Sequence, residues 1–193
     1  MPAIVAVEPG FYRIVLPQVL SDSTHGSIDA FELLTVRLRD ADGAEGVGYT
    51  VTVGRNGAAV YATLVREIVA LATGQDADLI EALWQRIWWG LHYGGRGGPT
   101  VLALSAFDIA LWDLKAKRAG LPLYKLLGGF DPLVPCYAGG IDLDLPLDGL
   151  LRQTDDNLGK GFRAIKMKVG RARLREDVER LGAMRNHLGD GFR

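Results

Sequence analysis

Cysteine is almost missing from this sequence, and so is an excess of either sign of charge. Cys136 is the only cysteine among the 193 residues, which excludes an internal disulfide and a cysteine cluster for zinc. The 22 Lys and Arg residues nearly balance the 23 Asp and Glu residues, and the net charge of -1 gives no electrostatic reason to expect nucleic acid or an anionic membrane as a partner. Because no histidine neighbours Cys136 in the sequence, we expect a small buried residue rather than a nucleophile.

Long apolar runs are missing as well. No stretch approaches the length of a transmembrane helix, and the N-terminus lacks the basic and then apolar pattern of a signal peptide. We therefore expect a cytoplasmic protein. The hydrophobic fraction of 48% is ordinary for a globular chain that buries a core.

Short stretches of alternating apolar residues open the chain and predict a small antiparallel sheet. A turn at Pro9-Gly10 separates the first two strands, and Asp40 to Gly43 is typical of a hairpin turn. A polar segment with His25 near its centre is predicted to be a loop. The predicted strands are 3–8, 11–16, 31–39 and 46–53, and the predicted loop is 17–30.

Apolar residues at helical spacing then predict three helices. Gly74 is expected to follow the end of the first helix, and Asp76 or Asp78 to cap the second. The segment Gly94 to Gly98 matches neither nucleotide-binding fingerprint and is expected to be a connector before Pro99, a residue that suits the first turn of a helix. The helices are predicted over 57–73, over a segment that includes 79–89, and over 100–118.

The segment from Gly161 to Gly170 predicts a strand with two lysines on one face. Successive side chains of a strand point to opposite faces, so Lys166 and Lys168 lie one above the other. Two neighbouring ammonium groups repel each other, which favours the loss of a proton from one of them. A lysine in that position can act as a general base, whereas on an edge strand both lysines would simply be solvated.

The third helix and the residues after it carry a family resemblance. The sequence from Ala103 to Lys117 reads ALSAFDIALWDLKAK, and Pro122-Leu123 and Leu126-Leu127-Gly128 follow it. A sheet, helices, this helix and then a Lys-x-Lys strand occur in that order. The chain resembles the mandelate racemase/muconate lactonizing branch of the enolase superfamily, and it looks most like the galactarate/talarate dehydratases.

The resemblance implies an α+β capping domain followed by the start of an α/β barrel of the (β/α)8, TIM-like type. The expected domains are residues 1–128 for the cap and 129–193 for the first two βα units of an incomplete barrel. Parallel strands are expected at 133–138 and 162–169, and helices at 147–160 and 173–188, the last with Val178, Leu181 and Met184 facing inward. The later strands and the acidic metal ligands of the family are expected beyond Arg193, so the chain as given would be truncated and inactive.

The resemblance also implies the site. Catalytic residues of such barrels lie at the carboxyl ends of the strands. Lys168 occupies the family's position for the base that removes a proton beside a carboxylate, and Lys166 occupies the position that helps to hold that carboxylate. The implied cofactor is Mg²⁺. His25, Tyr49 and Thr50 are candidate substrate contacts on N-terminal segments that cover the barrel mouth in the family, although an exposed loop and a structural tyrosine would explain them equally well.

The activity implied for the parent enzyme is that of a lyase that dehydrates an acid sugar, a small carboxylate substrate. The parent is expected to be a homo-oligomer. A racemase, an epimerase or a cycloisomerase on the same scaffold is the alternative, because a second group on the opposite face of the substrate decides between these reactions. A non-catalytic fragment, or a capping module that only packs against a partner, is an alternative from a different class.

Overall fold

A computed structural model describes residues 1–53 and 57–192 of the chain. The described residues form two compact units. The first contains Met1–Val15 and Ala30–Phe130, and the second contains Leu16–Asp29 and the residues from Asp131 onward. Residues 16–29 therefore group with the segment predicted to begin the barrel, while the domain boundary between residues 128 and 129 stays a prediction.

Three strands open the chain: β1 (Ile4–Asp22), β2 (Gly26–Asp40) and β3 (Glu45–Val53), which form a sheet in the order β1-β2-β3. The predicted turn at Pro9-Gly10 is wrong, because both residues lie inside β1. Proline is tolerated there because β1 is at the edge of the sheet. A Cβ atom at Gly10 would lie 2.6 Å from Oγ1 of Thr35 on β2, so this glycine permits a close approach between two strands and not a turn.

The predicted loop over residues 17–30 is also wrong. β1 continues to Asp22 and β2 begins at Gly26, so these residues form the outer part of a hairpin. Only residues 23–25 make the turn, and Gly26 follows them with a φ of 67°. The polar side chains of this segment indicate that it is exposed to solvent. They do not indicate a loop, because an exposed segment can still pair its backbone with a neighbouring strand. We call residues 16–29 the hairpin tip.

The predicted hairpin turn after Asp40 is confirmed, and β2 and β3 pair antiparallel on either side of it. The Asp40 carboxylate accepts hydrogen bonds from the N–H groups of Asp42 and Ala44, at 3.0 and 2.9 Å. Nη1 of Arg118 lies 3.4 Å from the other oxygen of Asp40. A buried carboxylate thus holds the turn and ties it to the end of the third helix.

Helices follow the sheet. They are α1 (Gly57–Ala72), α2 (Ile80–Gly90), a 3₁₀ turn (His92–Gly94), α3 (Pro99–Arg118) and the single-turn α4 (Leu123–Leu126). The three predicted helices are confirmed, but the predicted cap of α2 is wrong: its N-cap residue is Leu79, and Asp76 instead accepts the N–H of Asp78 at 3.0 Å. None of the described helices is long and apolar enough to span a membrane.

The core of the first unit lies where α3 packs on β3. A Cβ atom at Gly46 or Gly48 would overlap a backbone carbonyl oxygen of α3, at Ala110 and Ala106 respectively. Only glycine allows this distance between helix and strand. Side chains from the sheet and the helices fill the rest of the core, including Leu34, Val36, Leu38, Val65, Ile68, Ile87, Leu104, Phe107, Leu111 and Leu114.

The second unit contains two βα units. They comprise β4 (Ala138–Gly139), α5 (Leu147–Gly159), β5 (Ile165–Lys166) and α6 (Leu174–Leu188). β4 and β5 pair in parallel, as predicted, but the strand predicted over 133–138 forms only at Ala138–Gly139. β5 is shorter than predicted because the N–H of Lys168 donates to the carboxylate of Asp142, at 2.8 Å, instead of to a neighbouring strand.

Helix α6 buries a different face from the predicted one. Met184 is buried as expected, but Val178 and Leu181 are 58% and 47% exposed. Asp177 and Arg180 are buried in their place, and both hydrogen-bond to the backbone of the loops that follow the two parallel strands. Charged side chains can be buried when they gain such partners, although Nε of Arg180 has none among the described residues.

Candidate active site

Lys166 is the last residue of β5 and Lys168 lies two residues beyond it, so the predicted strand that carries both lysines on one face includes only the first of them. The carbonyl oxygen of Lys166 accepts the N–H of Gly140 at 2.9 Å, which holds this end of β5 against the end of β4. The side chain of Lys166 is exposed, and that of Lys168 is half-buried. Lys166 lines an open cavity of about 410 Å³ formed by residues of both strands and the segments before them, namely Pro135, Cys136, Tyr137, Ala164 and Ile165.

Cys136 is exposed, so the expectation of a buried residue is wrong. Its Sγ donates to the carbonyl oxygen of Val134 at 3.2 Å, and it lies on the wall of the same open cavity. The lack of a neighbouring histidine spoke against a nucleophile but carried no information on burial, and the open cavity leaves this side chain in contact with solvent.

The hairpin tip belongs to the same unit as the lysines and carries the predicted substrate residue His25. Asp22 accepts the N–H groups of Thr24 and His25, and Nδ1 of the His25 ring lies 3.0 Å from its Oδ2. The backbone N–H of His25, followed by its ring, lowers the pKa of Asp22 from 3.8 to about 2. The turn is thus built around an ionised carboxylate.

The hairpin tip also lies against the end of the lysine segment. A Cβ atom at Gly170 would be 2.7 Å from Cβ of Ser23. The N–H of Ser21 donates to the carbonyl oxygen of Ile141 at 3.0 Å, and the N–H of Leu143 donates to the carbonyl oxygen of Ser21 at 3.1 Å. The hairpin tip therefore touches the loops that follow both β4 and β5, which is the strand end where barrel enzymes carry their catalytic residues.

Tyr49 and Thr50, the other two predicted substrate contacts, lie on β3 in the first unit. The side chain of Tyr49 is 59% exposed, whereas Thr50 is 8% exposed on the opposite face of the strand. A strand sends successive side chains to opposite faces, so the two cannot share one surface of the sheet. Their contact with a substrate stays a prediction.

Charged residues that sequence reasoning missed hold the loops after β4 and β5. Asp177 accepts the N–H groups of Gly170 and Arg171, at 2.8 and 3.2 Å. The guanidinium groups of Arg171 and Arg180 donate to carbonyl oxygens within residues 142–145. Burial, and then the positive charge of Arg171, lowers the pKa of Arg180. One feature of the sequence could have indicated this role for Arg171: it directly follows Gly170, the glycine that ends the predicted strand.

The sequence motif from Ala103 to Lys117, which we call the α3 motif, contains the acidic residues Asp108 and Asp113, and both belong to the first unit. Asp113 accepts the N–H of Val47 at 2.7 Å and lies 2.7 Å from Nζ of Lys117, so it joins α3 to β3. Burial raises the pKa of Asp108, and the nearby charge of Glu81 acts in the same direction. Asp113 therefore has a structural role in the packing of α3.

Within residues 1–53 and 57–192, no group of three or more His, Cys, Asp or Glu side chains is placed to hold a metal ion. The described residues thus do not fit a magnesium site by themselves. The expected ligands, placed beyond Arg193, lie outside the described residues.

Residues 11–128 match the family "Mandelate racemase / muconate lactonizing enzyme, N-terminal domain". The match covers more than half of the chain, so the chain belongs to this family and with it to the enolase superfamily. The predicted family and fold class, an α+β cap followed by the start of a barrel, are confirmed.

Two curated relatives are similar to this chain. It is 57% identical over 189 residues to a 3,6-anhydro-alpha-L-galactonate cycloisomerase of Streptomyces coelicolor, covering 98% of this chain and 52% of that protein. It is 41% identical over 162 residues to an L-talarate/galactarate dehydratase of Salmonella typhimurium, covering 83% of this chain and 40% of that protein. The chain thus spans about half the length of the curated relatives that it matches.

Solved structures show the same relationship. A racemase from Streptomyces coelicolor A3(2) with bound magnesium superposes with a TM-score of 0.94 at 57% identity, covering 98% of this chain and 53% of that one. The L-talarate/galactarate dehydratase from Salmonella typhimurium LT2 superposes with a TM-score of 0.92 at 36% identity, covering 98% and 49%. Magnesium is also bound in a further structure of that dehydratase, with L-lyxarohydroxamate. These structures confirm magnesium as the cofactor of the relatives.

Proposed function

We propose that the whole protein removes the proton beside the carboxylate of a sugar acid, with Lys168 as the base. The proposal concerns the whole protein because this chain spans about half the length of its relatives. The observation that carries the proposal is the position of Lys166 and Lys168 at and just beyond the carboxyl end of β5, with the hairpin tip lying on the same loops. The relatives named as a cycloisomerase and a dehydratase of sugar acids support it.

Each lysine has a distinct role in this proposal. The neutral amine of Lys168 takes the proton from the carbon beside the carboxylate and becomes an ammonium group. The ammonium group of Lys166 faces the carboxylate and favours the negative charge that develops on its oxygens. His25 on the hairpin tip contacts hydroxyl groups of the substrate, and Tyr49 and Thr50 remain proposed contacts.

We favour a cycloisomerase reaction for the step that follows, because the cycloisomerase relative is 57% identical over nearly the whole chain. In a 3,6-anhydro sugar acid, the ring oxygen is bonded to the carbon next to the one that loses its proton. Breaking that bond opens the ring, and the freed oxygen takes up one proton in place of the one that Lys168 removed, so the product has the same composition as the substrate. The net change is an isomerisation.

Dehydration is the second candidate, favoured by the 41% identity to an L-talarate/galactarate dehydratase. The proton abstraction is the same, but a hydroxyl group departs from the neighbouring carbon as water. Product mass separates the two reactions: it is unchanged by cycloisomerisation and lower by one water after dehydration. Incubating the whole protein with 3,6-anhydro-alpha-L-galactonate, and separately with galactarate, therefore decides between them.

The role of Lys168 is tested with Lys168→Met in the whole protein. We expect exchange of the substrate's α-proton in deuterated water to fall by about 10²–10⁴-fold, since the general base is lost. Lys160→Met, a change of an exposed lysine before the predicted strand, is the matched control and should exchange normally. Full exchange by Lys168→Met would remove Lys168 as the base, and an inactive wild-type protein with both acids would favour a non-catalytic module.

A further inference from the structure

Asp142 is a buried carboxylate that contacts the backbone of the proposed base. It lies in the loop after β4 and is only 3% exposed. Its Oδ1 accepts the N–H of Lys168 at 2.8 Å, and its Oδ2 accepts Nε2 of Gln153 on α5 at 3.1 Å. Both oxygens are therefore held by groups from different parts of the second unit.

The backbone around Asp142 is built to receive this carboxylate. A Cβ atom at Gly140 would overlap Oδ2 of Asp142, so a glycine leaves the space that the carboxylate fills. Nη2 of Arg180 donates to the carbonyl oxygen of Asp142 at 3.1 Å. The residues on either side of Asp142 pair with Ser21 of the hairpin tip, in a parallel bridge between Ser21 and Asp142.

The contact lies where the strand ladder stops. β5 ends at Lys166, and two residues later the N–H of Lys168 meets the Asp142 carboxylate. The direction in which the backbone presents the Lys168 side chain therefore depends on Asp142. The same residue is joined to the hairpin tip that carries His25.

We propose that Asp142 is a positioning residue, which orients Lys168 and aligns it with the hairpin tip through its bonds to both. This inference rests on the proposed function, since it assigns Asp142 a task only if Lys168 is the base. A base must be held close to its attack geometry, and a displacement of about 1 Å can cost about 10²-fold in rate. Asp142 does not itself touch the substrate in this proposal.

The experiment uses the whole protein and compares Asp142→Ala with Asp142→Asn. Alanine removes the acceptor for the Lys168 N–H, and we expect the rate of α-proton exchange at saturating substrate to fall about 10²-fold. Asparagine keeps an oxygen for that N–H, and the Gln153 amide can rotate to accept from its new N–H₂ group. We therefore expect Asp142→Asn to recover most of the lost rate.

Two further measurements separate positioning from general stability. Deuterium exchange of the Lys168 amide should be fast in Asp142→Ala and slow in Asp142→Asn. Thr154→Ala removes another buried polar group of the second unit, a hydroxyl that bonds to the carbonyl oxygen of Leu150 and to Sδ of Met184, and should lower the unfolding temperature without slowing proton exchange. If Asp142→Ala does not fold, Asp142→Ser takes its place, because its shorter side chain cannot reach the Lys168 N–H.

The outcomes are distinct. Suppose that Lys168→Met abolishes exchange while Asp142→Ala, or Asp142→Ser in its place, stays within about threefold of the wild-type rate, far from the expected loss. The inference is then overturned and the proposed function stands. A folded Asp142→Asn that loses as much exchange rate as Asp142→Ala would also overturn it, because the hydrogen-bond acceptor for the Lys168 N–H would then not explain the loss. If Lys168→Met keeps its exchange, the proposed function itself fails.

Discussion

At the scale of single residues, the turn of the hairpin tip depends on the charge of Asp22. Two backbone N–H groups and the His25 ring converge on its carboxylate. Each of these contacts favours the ionised form. The turn that carries the proposed substrate residue is therefore set by local hydrogen bonds that the side chain of Asp22 makes within three residues.

We predict a pH limit for this turn. The folded-state pKa of Asp22, about 2, lies below the ordinary value of 3.8, so its contribution to stability is complete above about pH 4 and is lost as the pH falls through about 2. NMR titration of the Asp22 carboxyl carbon should show a midpoint near 2.

His25→Ala is the control for this titration. It removes the ring but keeps the backbone N–H of residue 25, which is the larger cause of the shift, so the midpoint should rise only part of the way to 3.8. A wild-type midpoint near 3.8 would mean that the turn does not form as described.

At the scale of elements, the contact between α3 and β3 depends on glycines that allow the helix backbone to approach the strand. We predict that Gly48→Ala lowers the free energy of unfolding by about 1–3 kcal/mol or more, because the new Cβ would meet the carbonyl oxygen of Ala106, which belongs to the helix backbone and cannot rotate away. Urea unfolding followed by circular dichroism measures the change.

Gly182→Ala is the matched control for this substitution. Gly182 lies within α6 with open space around the position of a Cβ atom, so the same change should stabilise the chain by about 0.5–1 kcal/mol. Opposite signs for the two variants would tie the loss at Gly48 to the helix contact. Equal effects would show that α3 does not pack against β3 at this distance.

At the scale of the whole molecule, the solved relatives bind magnesium, but the described part of this chain offers no cluster of ligands for it. We predict that the 193-residue chain shows no tight, stoichiometric magnesium binding when titrated in a calorimeter. Magnesium needs oxygen ligands in near-octahedral geometry, and isolated surface carboxylates do not supply it. The magnesium-binding Streptomyces coelicolor relative is the positive control. Tight one-to-one binding by this chain would place a metal site among its own residues.

Local patterns predicted much of the fold because their causes are local. The alternation of Leu34, Val36 and Leu38 marked a strand with one buried face, and helical spacing marked α1 and α3. The family resemblance added the parallel order of β4 and β5. The wrong predictions of a turn at Pro9-Gly10 and of a loop in the hairpin tip have one cause. A turn dipeptide or a polar run indicates a local preference, but pairing with a neighbouring strand decides the conformation.

The sequence by itself determined the family and the order of most elements, because periodicity and the motif on α3 can be recognised along the chain. It also singled out Lys166 and Lys168, whose roles stay a proposal. Only the tertiary structure decided that the hairpin tip joins the second unit and that the Asp142 carboxylate meets the N–H of Lys168, 26 residues away. Such contacts depend on which backbone groups are left without a strand partner after the elements have packed. No pattern within a single segment contains that information, and the pairing of distant groups was therefore settled by the fold.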